Sequence, residues 1–465
     1  MGNADQSLIE WMEAEMRFAS AAILQSVSAT DLVMNRASFG QRIVPKPGSI
    51  VAAPATDLSG GDPDYFFHWL RDSSLVMDAL RILHQRGRLD DAPRLFGDFV
   101  AFSLGLRRLD GPALLKKGDI RQGVEPGLLK YVRPDDELMS VLGDKLLGEV
   151  RFNPDGALDI IKWSRPQNDG PALRALSVLR YASFGTQGQA ANDLACGDLA
   201  FVERHWSEPC YDLWEEEFGH HYYTRLVQMA ALEDGAQWMS EEGDNDGAGR
   251  FRAAAHALRE SLDLHWSPTQ RFYRSHIGGT DNPQKDLDAS VILAVLHADR
   301  AGGAHSVLDP RVHATLEKLE DLFIAEYRIN NALRPGRGPA MGRYAGDHYV
   351  SGGAWYITTL AVAEFYYRLA GCLARGHGLA CNDDNASFLA RILDGRMSLP
   401  NEALTVLLER GDAFMATVRD YAPASGELSE QFDQSTGEPT SAKNLAWSYA
   451  AFITAYDARQ HAIKI

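Results

Sequence analysis

Ser351 to Arg375 reads SGGAWYITTLAVAEFYYRLAGCLAR. Apolar side chains fall nearly all the way round its helical projection, which suits an inner helix buried against other helices. Gly249 to Trp266, GRFRAAAHALRESLDLHW, has one apolar stripe with charges opposite, as a helix with one face in solvent should. The same recurrence of apolar residues every three and four positions predicts about twelve substantial helices. They lie near residues 6–26, 72–86, 90–107, 169–184, 190–206, 219–240, 248–265, 286–298, 309–327, 353–374, 401–420 and 443–460. An even number of inner and outer helices, with short and long connections alternating, suggests helical hairpins arranged in a ring. One all-α domain over residues 1–465 is the expected organisation.

Composition narrows the function. The 465 residues are 45% hydrophobic and carry a formal charge of −17, with no basic block, so neither a phosphate backbone nor an anionic membrane surface is an expected partner. No apolar run is long enough to span a bilayer. The N-terminus lacks the basic and apolar regions of a signal peptide, leaving open a cytoplasmic protein or a processed one. Four cysteines at positions 196, 210, 372 and 381 form no CxxC pair, and a single bridge between Cys372 and Cys381 stays open. No metal or cofactor is expected. Residues 241–251 and 381–388 lack the full ligand spacing of a calcium loop and read as caps and solvated turns; adjacent His220 and His221 are no metal pair.

The long connections, residues 27–71, 108–168 and 328–351, concentrate Gly, Pro, Trp and Arg, and connections that long are usually functional. Five segments in these connections and at helix starts set charged groups among aromatics: PDYFFHWLRDSSLV (63–76), KWSRPQNDGPALR (162–174), YDLWEEEFGHHYYT (211–224), GRYAGDHYVSGGAW (342–355) and LSEQFDQSTGEPTSAKNLAWSYAA (428–451). Sugar sites need this mixture, because aromatic faces pack on C–H faces while Arg, Asp and Glu satisfy hydroxyls. Each segment alone has a plainer reading. Asp72 and Asp169 suit helix caps, the arginines suit structural ion pairs, and Trp69, Trp163 and Trp355 suit a core. Glycoside hydrolysis needs two carboxyl groups, one of which still holds its proton near neutrality. The crowded acids of DLWEEE, with Trp214 as an apolar wall, would favour that proton, and Glu430 is the best candidate partner.

In this order the segments resemble the glucoamylases of glycoside hydrolase family 15, from about residue 8 to residue 458. The resemblance rests on PDYF…W.RDS, W.RPQ.DGPALR, YDLWEE, GRY…D.Y and SEQ.D...GE..SA..L.WSYAA. It implies an (α/α)6 barrel of six outer and six inner helices. It also implies exo-acting release of β-glucose, with inversion, from non-reducing ends of α-linked gluco-oligosaccharides and soluble dextrins. By position, Glu215 matches the general acid and Glu430 the general base. Arg71 and Asp72 match the grip on the terminal glucose, Arg343 a second sugar-binding arginine, and Glu216 a contact on the leaving side. Tyr65, Trp69, Trp163, Trp214, Trp355 and Trp447 match aromatic positions lining or supporting the pocket.

Departures from the fungal pattern RYPEDTYYNGNPW are Gly346 in place of an acid and Gly353–Ala354 in place of Asn-Pro; Asn168 stands where an Arg is usual. They touch the leaving-sugar side and leave open α-1,4 chains, isomaltose-type α-1,6 linkages or trehalose. With neither a starch-binding module nor an N-terminal β-sandwich expected, soluble oligosaccharides are the expected substrate, and a monomer the expected state. A catalytically silent sugar-binding toroid is the alternative of another class. Retention of both Glu215 and Glu430 speaks against it.

Overall fold

The computed structural model describes residues 6–57, 60–182, 188–278, 282–331, 335–393 and 400–464. All twelve expected helices are present, most within a few residues of their expected ends. The expected end of the 169–184 helix lies outside the described residues, which show it as Asp169–Ala182. Three further short α-helices occur among the described residues, Gly111–Lys116, Asp135–Met139 and Ala386–Leu393. No described helix is long and apolar enough to cross a membrane. No disulfide joins any of the four cysteines, so the optional bridge between Cys372 and Cys381 is not formed.

By its contacts the chain forms two compact units. One comprises Met1–Ala21, Gly219–Ala230 and Ala257–Ile465; the other comprises Ala22–Phe218 and Ala231–His256.

In the first unit the helix Tyr356–Ala374 packs against Pro400–Tyr421 and Ala446–Lys464. Every residue from Tyr356 to Cys372 except Arg368 is buried, as its all-round apolar character requires. Its polar groups are paired internally. Thr359 Oγ1 donates to the Trp355 carbonyl at 2.8 Å, Tyr366 Oη to Glu320 at 2.5 Å and Tyr367 Oη to Asp412 at 2.6 Å. The helix starts three residues later than expected, because Ala354–Trp355 is taken up as a strand. That strand pairs antiparallel with Gln431–Phe432, which pairs in turn with Pro439–Thr440.

Glu15 breaks the pattern of the N-terminal helix Gln6–Leu24. It is buried beside Leu8, Met12, Met16 and Ala19, with Oε1 unbonded among the described residues, and desolvation raises its pKa from 4.5 to about 8. The fold therefore keeps a proton that the unfolded chain loses above pH 4.5, so Glu15 lowers stability progressively as pH rises from there to about 8. Glu15→Gln should raise Tm at pH 8, by an amount equivalent to roughly 4 kcal/mol, and by little at pH 5. Thermal melts at the two pH values check this, and equal shifts would contradict it.

In the second unit Leu70–Gln85 packs on Asp169–Ala182, which packs on Gln189–His205, and Ala92–Leu106 packs on the same partner. The starts of the first two helices approach closely. A Cβ on Gly170 would stand 2.6 Å from the Leu70 Cβ, so only glycine permits the approach that sets Asp169 beside Arg71. A two-stranded ribbon, His68–Trp69 with Arg151–Phe152, precedes the first helix and sets Trp69 opposite Arg151.

Candidate active site

In the second unit the YDLWEEEFG segment is a tight turn rather than a helix start. Asp212 Oδ1 accepts the backbone N–H groups of Glu216 and Glu217 at 2.6 and 2.9 Å, and the Asp212 N–H donates to the Glu217 carbonyl at 2.9 Å. Asp212 therefore serves the backbone of the turn. Glu215, at its apex, has φ +67°, a left-handed conformation that costs a residue with a Cβ about 1–3 kcal/mol. Ser164 Oγ, donating to the Glu215 carbonyl at 2.5 Å, helps hold it there.

That backbone aims the Glu215 carboxylate into a cluster of donors. Trp69 Nε1 reaches Oε1 at 2.8 Å, Arg71 Nη2 reaches the same oxygen at 3.2 Å, and Trp163 Nε1 donates to Oε2. Trp163 is 41% exposed, which removes the core reading for this residue, whereas Trp69 and Trp214 are buried. Tyr65 meets Trp69 edge to face at 5.4 Å between centroids, and Trp69 meets Trp163 likewise at 6.4 Å. Glu216 is exposed at the surface of the turn.

Arg71, nearly fully buried, divides its guanidinium among several partners. Nη1 donates to Gln167 Oε1 at 2.9 Å and Asp169 Oδ2 at 3.0 Å, Nη2 goes to Glu215, and Nε lies 3.5 Å from Asp72 Oδ2. The cap readings of Asp72 and Asp169 fail here. The cap position of the Leu70–Gln85 helix is Trp69, Asp72 lies inside its first turn, and the Asp169 carboxylate pairs with Arg71. Asp72 Oδ2 makes no hydrogen bond among the described residues. Burial pushes the Asp72 carboxyl from 3.8 up to about 6; Arg71 opposes that rise, while Glu215 and Asp169 add to it. Gln167 and Ser164 belong to this cluster although the sequence did not single them out. Gln167 closes the RPQ stretch and Ser164 directly precedes it, so their position was the available signal.

In the first unit the three-stranded ribbon carries Glu430. The Glu430 N–H donates to the Ala442 carbonyl at 2.8 Å, and the Tyr356 N–H donates to the Glu430 carbonyl at 3.3 Å. The side chain is buried and Oε2 accepts from Ser441 Oγ. Arg343 is clamped by Asp347, with Nε at 2.7 Å and Nη2 at 2.5 Å, and its guanidinium lies 5.1 Å from the Trp355 ring centre and 5.4 Å from that of Tyr349. The Trp355 N–H donates to the Met341 carbonyl at 2.8 Å, and Trp355 faces Gln431 across the ribbon. Trp447 is buried in the first turn of Ala446–Lys464, whose Ser448 Oγ donates to the Ser429 carbonyl at 2.8 Å. Ser441 and Asp347 are the residues here that sequence reasoning passed over. Asp347 stood inside the quoted GRY…D.Y pattern.

Two features bear on the departures near Gly346. It has φ +69°, and a Cβ there would stand 2.9 Å from Gln284 Oε1, so the Gln284 amide lies where a side chain at 346 would begin. Gly353 is packed against the Phe432 carbonyl, 2.5 Å from where its Cβ would be. Residues 241–251 form a turn and the start of the helix Asn245–Asp263, with Asp244 Oδ1 accepting the Gly247 N–H at 2.8 Å, in keeping with the cap expected there. Among the described residues no cluster of His, Cys, Asp or Glu is arranged to hold a metal ion.

The chain is 29% identical to a glucoamylase of Blastobotrys adeninivorans over 89% of its own length and 67% of that protein's. It is 28% identical to a probable glucoamylase of Schizosaccharomyces pombe, over 99% of this chain and 93% of that one. A solved family 15 glucoamylase from Hypocrea jecorina matches 97% of this chain and 72% of its own, with TM-score 0.81 and 25% identity. The fold class is accordingly the all-α (α/α)6 barrel. Residues 28–99 and 139–457 match the family described as glycosyl hydrolases family 15, a span that takes in all five sugar-type segments, and the chain belongs to that family.

Proposed function

We propose that this glycosyl hydrolase is an exo-acting, inverting glucoamylase. It releases β-D-glucose from the non-reducing ends of soluble α-1,4-linked gluco-oligosaccharides, with Glu215 as general acid and Glu430 as general base. The carrying observation is the Glu215 carboxylate, held at both oxygens by two indole N–H groups and Arg71 at the apex of a strained turn. Packing alone has no use for such an arrangement. In the inverting scheme the two carboxyls stand roughly 6.5–9.5 Å apart, leaving room for a water. Glu430 takes a proton from that water as it attacks the anomeric carbon, while Glu215 gives one to the departing glycosidic oxygen.

Asp72 receives the hydroxyls of the terminal glucose. Arg71, already committed to Gln167, Asp169 and Glu215, chiefly holds the surrounding carboxylates in place. Arg343 and the aromatics Tyr65, Trp69, Trp163, Trp214, Trp355 and Trp447 bind or support the sugars, and Glu216 serves the leaving side. Initial-rate NMR on maltose tests the proposal. β-Glucose should appear first, and faster than from isomaltose or trehalose. Initial α-glucose would remove inversion, faster isomaltose or trehalose cleavage would change the linkage, and saturable maltose binding without glucose release would leave only a binding protein.

A pH dependence follows from Asp72. Its carboxyl titrates near 6, so below that pH it is neutral and loses an acceptor for a sugar hydroxyl. kcat/KM on maltose should therefore fall on the acid side of pH 6, approaching tenfold per pH unit. Asp72→Asn should lower kcat/KM at pH 7 and abolish this limb; a limb unchanged in the variant would assign it elsewhere.

A further inference from the structure

A buried chain of five alternating charges lies beneath the two indoles that hold Glu215. Glu149 accepts from Arg133 at 2.8 and 2.9 Å and from Arg165 at 2.7 Å. Asp159 accepts from Arg165 and from Arg151, each at 2.9 Å. All five side chains are buried, so solvent screens them little. At its outer end Arg133 also pairs with Glu137 at 2.8 Å, and at its inner end the chain stops at Arg151, which shares Asp159 with Arg165.

Arg151 is the member of the chain that meets the two indoles. The antiparallel ribbon sets it opposite Trp69. Its guanidinium carbon lies 3.6 Å from the Trp163 ring centre, 4.0 Å from that of Phe67 and 5.1 Å from that of Trp69. Trp163 needs such a backing. With 41% of its surface exposed, little else need fix the plane of its indole, yet its Nε1–H must point at Glu215 Oε2. A planar cation at stacking distance supplies that constraint through cation–π attraction. Glu215 becomes an anion as it gives up its proton, so a fixed positive charge behind its donors favours the transition state over the ground state.

We propose that Arg151 is a positioning residue for the proton donor: stacked beneath Trp163 and anchored by Asp159, it fixes the indole N–H against Glu215 and supplies positive charge behind it. This rests on Glu215 being the general acid. The role is specific to leaving groups that need a proton, which separates it from a general structural one.

The test compares maltose with α-D-glucosyl fluoride, whose fluoride departs with little help from an acid. Arg151→Lys keeps a cation for Asp159 but removes the planar face; Arg151→Met removes charge and face together. Expected are losses in kcat on maltose of roughly 10-fold for the lysine variant and 50-fold for the methionine variant, a fraction of the roughly 10²–10⁴-fold that general acid catalysis supplies. KM should change less than about 3-fold, and turnover of the fluoride should stay within about 3-fold of the parent. Equal losses on both substrates, or an unaffected lysine variant, would overturn the proposal. If Arg151→Met does not fold, Arg151→Lys decides alone. Glu215→Gln is measured alongside. Should it keep normal maltose turnover, the assignment of the acid falls; should it lose maltose but keep the fluoride while Arg151→Lys matches the parent, only the role of Arg151 falls.

Discussion

Glu430→Gln should lower kcat on maltose by about 10³-fold while changing KM less than about 3-fold. The argument starts from the local structure. Glu430 is buried in a backbone ribbon, with its N–H bonded to Ala442 and its carbonyl to Tyr356, and an amide of the same shape fits the same space. The glutamine carbonyl can still accept from Ser441 Oγ, so the substitution removes basicity and leaves the packing in place. A base matters only for a nucleophile that must lose a proton. Azide needs no such help, so added azide should restore turnover of the variant, and inversion makes the product β-glucosyl azide. Near-normal kcat, or no rescue by azide on any substrate, would send the search for the base elsewhere.

Helices long enough to repeat their pattern were legible, and short or two-residue elements were not. Tyr356–Ala374 and Asn245–Asp263 each extend over several turns, so buried and exposed faces recur often enough to be read. Asp135–Met139 has five residues, little more than one turn, and gives no period. The ribbons joining Trp69 to Arg151 and Trp355 to Gln431 have two residues a side and partners far along the chain, so no alternation announces them. Yet these ribbons position the site. They explain why segments were recognisable while the mechanism of their assembly was not: Trp69, Arg71 and Glu215 could be named from motifs, but the left-handed backbone at Glu215 and the layer of arginines beneath Trp163 depend on tertiary pairing. The crowded acids of YDLWEEEFG illustrate the limit. Sequence proximity suggested mutual repulsion around the donor, whereas the fold turns Asp212 to the backbone and surrounds the Glu215 carboxylate with N–H donors.

Glu215→Gln is the second change with a large expected effect, and its signature should be the opposite of that at Glu430. Without an acid the glycosidic oxygen must leave as an alkoxide, so kcat on maltose should fall by about 10³-fold or more. Fluoride leaves without that proton, so α-glucosyl fluoride should be turned over within about 10-fold of the parent rate, and azide should not help maltose. The variant should also carry a local cost that Glu430→Gln avoids. Glu215 Oε1 accepts from Trp69 and Arg71 while Oε2 accepts from Trp163, so both carboxylate oxygens are needed as acceptors. An amide offers one acceptor. With its oxygen facing Trp69 and Arg71, its NH2 meets the Trp163 N–H, two donors in conflict at a cost of roughly 1–3 kcal/mol. The exposed indole is the member of the cluster free to swing outward, so Glu215→Gln should lower Tm and increase the accessibility of Trp163 to an aqueous quencher, measured against Trp163→Phe as the blank. A variant that kept its maltose turnover would refute the acid. One that lost maltose and fluoride hydrolysis equally would make Glu215 a binding residue instead.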